Sequence, residues 1–296
     1  MKLSLGSWAF ATGSFAADPW PFVKVLEYAS RAQYDGIEIS GFRPYPHPDD
    51  FDTPQKCREL LKVIKGRGLG ISGYAPDLTQ VPPAEVPTAD YLHEFHKCLD
   101  FCTSCGIEIL RVDTVNPSNI RHGAAYARRR TLLVDTWKAA GRAARSAGVS
   151  VVWEFAPIFW LHETAEVKRV MDAVANEGFK VLFNTRYAYT GAPSVARHDR
   201  PPETLTNSRA ELILLLREYI GHLYLGDPDG PLSGSKTEAS APFGEGKMNL
   251  RAVLLPIRQV ADGLPWWCVD LGNRADAEGA GRTAVRILRQ LMAENT

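Results

Sequence analysis

Residues 34–39, YDGIEI, hold the pattern that decides the fold: a glycine after a polar turn, then Ile37 and Ile39 with one acid, Glu38, between them. The glycine-led onset recurs as RGLGIS (67–72), CGIEIL (105–110) and AGVSVV (147–152). In each case the glycine falls where a helical segment ends and an apolar strand begins. Working outward, the strand candidates are KLSLGS, GIEIS, LGISGYA, IEILRVD, SVVWEF, KVLFN, HLYLGD and WWCVDL. Between them lie amphipathic segments such as PFVKVLEYASRAQ, PQKCRELLKVIKGRG and TLLVDTWKAAGRAARSAG. Strands alternating with helices in this way predict an α/β chain closed as a (β/α)8 TIM barrel, with an open doubly wound sheet as the fallback. The first strand is not followed by G-x-G-x-x-G, which weighs against the dinucleotide-binding form of that fallback.

The 296 residues, 45% of them hydrophobic, suffice for one large core, so residues 1–296 are expected to form a single TIM-barrel domain. Lys plus Arg number 34 and Asp plus Glu number 34. With no net field to draw nucleic acid or an anionic membrane, the expected partner is a small molecule, neutral or weakly charged. The N-terminal MKLSLGSWAFATGSFAA has an apolar middle, but Gly6, Ser7, Thr12 and Gly13 interrupt it, so KLSLGSW reads as a first strand and not a secretion signal. No apolar run approaches the ~20 residues of a membrane helix. The expected location is cytoplasmic. Cys98, Cys102 and Cys105 show the C-x3-C-x2-C spacing of radical iron–sulfur enzymes, yet Leu92, Phe95, Leu99 and Cys102 recur at helical intervals. These cysteines are therefore read as core residues on one helical face, with neither a cluster nor a disulfide.

In a barrel of this kind chemistry sits at the C-terminal ends of the strands. Read in order, those ends are Trp8, Glu38, Tyr74, Arg111 with Asp113, Glu154, Asn184, Tyr224 and Asp270. Glu154 and Asp270 interrupt the apolar runs VVWEFAPIFW and PWWCVDL, and a buried ionised carboxylate without a partner costs several kcal/mol. Such positions mark a site more readily than a structural ion pair. Aromatic residues near these ends, Trp8, Tyr74, Trp153, Phe159, Trp160, Tyr187, Tyr189 and Trp267, suggest a mouth suited to a flatter or more apolar substrate, although some must belong to the outer core.

The motifs DGIEIS (35–40), WEF (153–155), VLFNTRYAY (181–189), GHLYLGDPDG (221–230), PFGEGKMNL (242–250) and WWCVD (266–270), in this order and spacing, resemble the sugar phosphate isomerase/epimerase family of xylose isomerase-like TIM barrels. That resemblance implies a divalent metal, Mn2+ or Mg2+, held at the ends of strands five to eight, usually by Glu, Asp, His and Glu. It would polarise a carbonyl while carboxylates move a proton at the adjacent carbon. The corresponding positions are Glu154, Asn184, Tyr224 and Asp270, and only the first keeps the usual residue. The Asp-x-x-His expected on strand six is Asn184-Thr185-Arg186-Tyr187, and the His-x-His of strand seven is His222-Leu223-Tyr224. An amide oxygen is a neutral donor, and a phenol with a pKa near ~10 must lose its proton to ligate well.

The resulting expectation is an isomerase- or epimerase-like enzyme without a catalytic metal. It would act by acid/base proton transfer next to a carbonyl of a small sugar-like or polyketone-like substrate, by isomerisation, epimerisation, elimination or cyclisation. Glu154 and Asp270 are the expected acid/base pair, with Tyr224 and Tyr187 as proton donors or oxyanion stabilisers. Asn184, Arg186, Glu38, Trp8, Arg111 and His222 are the expected substrate-binding residues. Arg186 suits a carboxylate or phosphate, or else is an exposed loop arginine. His222 points inward one layer deeper than Tyr224, where a hydrogen-bonded core histidine is expected. A metal-dependent sugar isomerase, with Glu154, Asn184, Asp270 and Tyr224 as ligands, is one alternative, and a non-catalytic homologue that binds a ligand or supports an active partner subunit is another. A homodimer is one assembly open to the chain on the habit of such barrels alone, since the sequence gives no interface for one.

Overall fold

Eight short strands close into one parallel barrel in simple sequential order, the first pairing with the last. A computed structural model describes residues 1–115, 123–156, 159–161, 164–175, 178–186, 213–227, 243–246, 250–261 and 263–293. The strands are β1 Lys2–Gly6, β2 Gly36–Ser40, β3 Gly70–Ala75, β4 Ile109–Val112, β5 Ser150–Glu154, β6 Phe179–Asn184, β7 Ile220–Leu225 and β8 Trp266–Val269. Helices α1 Phe22–Arg31, α2 Pro54–Lys65, α3 Thr88–Ser104, α4 Gly123–Ser146 and α5 Thr164–Val174 follow strands one to five, and Leu250–Ala261 and Ala277–Ala293 flank β8. The predicted closed barrel is what forms, and the doubly wound fallback is excluded.

Local chemistry sets these elements. Pro54 opens α2 while the Thr53 side chain accepts a hydrogen bond from the Lys56 amide at 3.4 Å, and Lys62 and Lys65 meet the negative end of the helix dipole. Gly68, Gly106 and Gly148 sit at positive φ just past α2, α3 and α4, as their spacing predicts. Gly36 differs: Gln33 takes the left-handed position after α1, at φ 65°. Gly36 and Gly70 instead make room for the Trp266 ring, where a Cβ on Gly36 would stand 2.6 Å from a ring atom.

Alternation along each strand divides two layers. Val152, Leu182, Tyr224, Cys268 and Ile109 fill the barrel interior, with Trp8 packed against them. The outward residues belong to a larger core under the helices. Trp153, for example, stands 4.8 Å from the Trp137 ring of α4. Cys57, Cys98, Cys102, Cys105 and Cys268 are all buried and free, and burial pushes Cys98 and Cys105 up to about 12. This agrees with their reading as core residues on and beside α3. No helix among the described residues is long and apolar enough to cross a membrane.

Candidate active site

Closure of the barrel brings the ends of β4, β5, β6 and β8 to one rim, around a cavity of 390 Å3. Trp8, Arg111, Glu154, Arg186, Tyr224 and Asp270 line it, joined by Thr12, Ser40, Phe42 and Asn273 among others. Six of the residues expected from sequence therefore share one space, with Asn184 behind them. Tyr187 lies outside the described residues.

The geometry centres on an amide between two acids. Asn184 Nδ2 donates to Asp270 Oδ2 at 3.0 Å and to Glu154 Oε1 at 3.4 Å. Its carbonyl oxygen accepts from the Arg186 backbone N–H at 3.0 Å, which fixes which end of the amide faces the carboxylates. Asp270 also accepts from the Trp8 indole at 2.8 Å and from the Gly272 amide at 3.0 Å. Trp8 reaches Asp270 because the chain turns at the end of β1 into a short 3-10 helix, Ser7–Phe10, and because a Cβ on Gly6 would stand within 2.3–2.6 Å of the ring.

Arg111 donates to Glu154 on one side and to Asp113 Oδ2 at 2.9 Å on the other. Burial pushes the Glu154 carboxyl up to about 7, against the pull of Arg111 and with the help of the Asp270 and Asp113 charges. Arg186 is not an exposed loop arginine. It is buried against the β8 exit, where its guanidinium donates to the Gly272 carbonyl at 3.2 Å, and it lines the cavity.

Three expectations change. Glu38 and His222 do not line the cavity: both are buried beneath it, joined at 2.8 Å, so neither is placed to bind substrate. Tyr224 contributes to the lining, yet its hydroxyl donates to Glu38 and burial raises its pKa well above the usual phenol value. It is consequently a poor proton donor to substrate. The aromatic mouth shrinks as well: Trp153, next to Glu154 on β5, faces the opposite layer and packs on Trp137, Tyr74 packs outward on Phe101 at 4.8 Å, and Trp160, beyond β5, packs on Tyr126 at 5.5 Å. The lining that remains mixes charge with apolar surface. Sequence reasoning missed Phe42, Thr12 and Asn273, which lie on loops after β2, β1 and β8; the Asn273 amide donates to Thr12 Oγ1 at 3.1 Å, a contact with no local sequence signal.

The donor set does not fit a divalent ion. Asn184 presents N–H, not oxygen, to the two acids, and turning it over would set its NH2 against the Arg186 N–H. Tyr224 is spent on Glu38, and no group of three His, Cys, Asp or Glu suited to a metal exists among the described residues. The amide hydrogens of Asn184 and the guanidinium of Arg111 stand where positive charge is needed.

A closed parallel barrel with converging carboxylates at the C-terminal mouth defines a barrel protein of the enzyme-bearing type. The chain belongs to the xylose isomerase-like TIM barrel family, whose model matches residues 26–291. No curated protein matches it. Among solved structures it is similar to D-psicose 3-epimerase with D-tagatose from Clostridium cellulolyticum H10, at 14% identity, covering 99% of each chain with a TM-score of 0.72. It is also similar to the probable 3-DHS dehydratase AsbF of Bacillus anthracis, at 14% identity over 98% of this chain and 99% of that one, with a TM-score of 0.71. A xylose isomerase-like barrel protein of Mycobacterium smegmatis in complex with magnesium matches at 14% identity over 99% and 97% of the two chains, with a TM-score of 0.72. At such identities the likeness establishes the fold alone.

Proposed function

We propose that this chain is an isomerase- or epimerase-like enzyme that moves a proton next to a carbonyl of a small polyhydroxylated substrate, without a catalytic metal. The observation that carries the reading is the Asn184 amide bridging Glu154 and Asp270 beside the Arg111 guanidinium. Ionised Glu154 takes a proton from the carbon beside the carbonyl. The C–H electron pair forms a carbon–carbon double bond, and the carbonyl π pair moves onto oxygen, where Arg111 or Arg186 supplies the counter-charge. Return of the proton to the opposite face of the same carbon completes an epimerisation. In an isomerisation the proton goes to the former carbonyl carbon, the hydroxyl on the first carbon gives up its proton and becomes the new carbonyl, and the former carbonyl oxygen takes that proton as a hydroxyl. A pKa near 7 lets Glu154 both accept and release that proton at neutral pH. Asp270, held by Trp8, Gly272 and Asn184, flanks the same space as the second acid/base group.

The test uses neutral ketoses and cyclic hydroxyketones in D2O, with deuterium at the carbon beside the carbonyl followed by NMR. Exchange is expected to survive chelator treatment of protein that elemental analysis shows to lack stoichiometric Mn, Mg or Zn. The Glu154→Gln variant should lose about 10^2–10^4-fold in rate, the typical contribution of a general acid or base. Activity abolished by chelation would install the metal-dependent alternative, which the magnesium complex of the Mycobacterium smegmatis protein keeps in view. No exchange in any substrate, with ligand binding intact, would favour a non-catalytic homologue.

A further inference from the structure

Among the described residues Glu38 is the most enclosed acid, and the proposed chemistry does not use it. It sits on β2 in the barrel interior, fully buried. Three donors converge on it: His222 at 2.8 Å and the Ser72 hydroxyl at 3.4 Å on Oε2, and the Tyr224 hydroxyl on Oε1. Gly73 opposite leaves it space, since a Cβ there would come within 3.3 Å of the Glu38 carboxyl carbon. Replacing a buried charged pair with well-packed apolar residues is often neutral or stabilising, so stability alone is a weak reason for this arrangement. The arrangement has one outlet toward the site. The Tyr224 ring leaves Glu38, forms part of the cavity lining and packs against Trp8 with ring centroids 5.2 Å apart. Trp8 in turn holds Asp270 at 2.8 Å.

We infer that Glu38, anchored by His222, is a positioning residue: it fixes the Tyr224 phenol, and through the Tyr224–Trp8 contact it sets the orientation of Asp270 toward Asn184 and Glu154. The chain runs across the barrel from β7 and β2 to β1 and β8. Each link is either a hydrogen bond or a ring contact, and every group in it is buried except Trp8, which is partly buried. The inference rests on Asp270 being part of the working site, but its geometry is independent of which reaction occurs there.

The experiment follows the Trp8 indole N–H by 1H–15N NMR, assigned by its loss in Trp8→Phe. In the wild-type protein this proton is expected to exchange more slowly than a free indole N–H, because it is held by Asp270 at 2.8 Å on a partly buried ring. In Glu38→Gln and in Tyr224→Phe, which keeps the ring and loses the hydroxyl, the resonance should move upfield and its exchange quicken as the bond to Asp270 loosens. A purely packing role for Glu38 would lower stability in urea without moving this signal in the folded protein. Two results overturn the inference: an indole resonance unchanged in whichever variant folds, or a wild-type indole proton that exchanges as fast as a solvent-exposed one. Because no substrate is involved, a failure here is distinguishable from failure of the proposed catalysis, which the deuterium exchange assay reads.

Discussion

The Glu154 carboxyl is pushed up to about 7 because burial outweighs the opposing Arg111 guanidinium, while the Asp270 and Asp113 charges add to the rise. A folded-state value above the unfolded one, near 4.5, means that the native protein binds more protons than the unfolded chain between those two values. The sign follows: the contribution to stability is fully present below pH ~4.5 and is lost as pH rises through ~7, by an amount on the order of a few kcal/mol. Glu154→Gln removes the titration, so its urea midpoint should vary less than the wild type's between pH ~5 and ~7. Equal slopes for the two proteins would place the carboxyl in solvent-like surroundings. Catalysis has the opposite dependence, since ionised Glu154 is the base: activity should fall as pH drops through ~7.

At the scale of the element, β6 carries the decisive exchange. Asn184 supplies N–H where the family pattern supplies a carboxylate, so Asn184→Asp places three acids together at the ends of β5, β6 and β8. The variant should lose stability at pH 8 through like-charge repulsion. Added Mn2+ should restore it in a concentration-dependent manner, because a ligand that binds only the native state stabilises it. Calorimetry showing Mn2+ affinity no different from wild type would mean that these positions do not form a ring of donors. The strands themselves were legible in sequence: Gly36–Ser40, Ser150–Glu154 and Phe179–Asn184 match the expected GIEIS, SVVWEF and KVLFN to within one residue at an end, since a buried parallel strand is an apolar run and a mouth residue is its polar end. What escaped was pairing at long range. Glu38 lies 184 residues from His222, and Trp8 lies 262 from Asp270, so only closure of the sheet makes them neighbours. Tyr74 escaped for a different reason: the register shift between β2 and β3 at Ile37/Glu38 upsets simple counting of faces, and its ring turns to α3.

Over the whole molecule, two concentric layers divide stability from chemistry. The outer layer, where Trp153 meets Trp137 at 4.8 Å and Phe155 at 6.1 Å, is apolar and contributes by burial. The inner layer holds Glu38, His222, Asn184 and the Glu154–Asp270 pair, whose burial costs free energy and is offset by mutual hydrogen bonds. Trp153 and Glu154 are consecutive on β5 yet face opposite layers, so the division can be tested across one peptide bond. Trp153→Ala should cost about 3–5 kcal/mol in urea unfolding, the usual loss for a large aromatic removed from a core. The Glu154 midpoint, followed by 13C NMR of the side-chain carboxyl, should stay where it is. Asn184→Ala should do the reverse: it withdraws a hydrogen bond that lowers the Glu154 pKa, so the midpoint should rise further. A Trp153→Ala protein whose Glu154 midpoint moves as far as that of Asn184→Ala would show that the layers are coupled through the strand, and that the site depends on outer packing as much as on the polar residues inside the barrel.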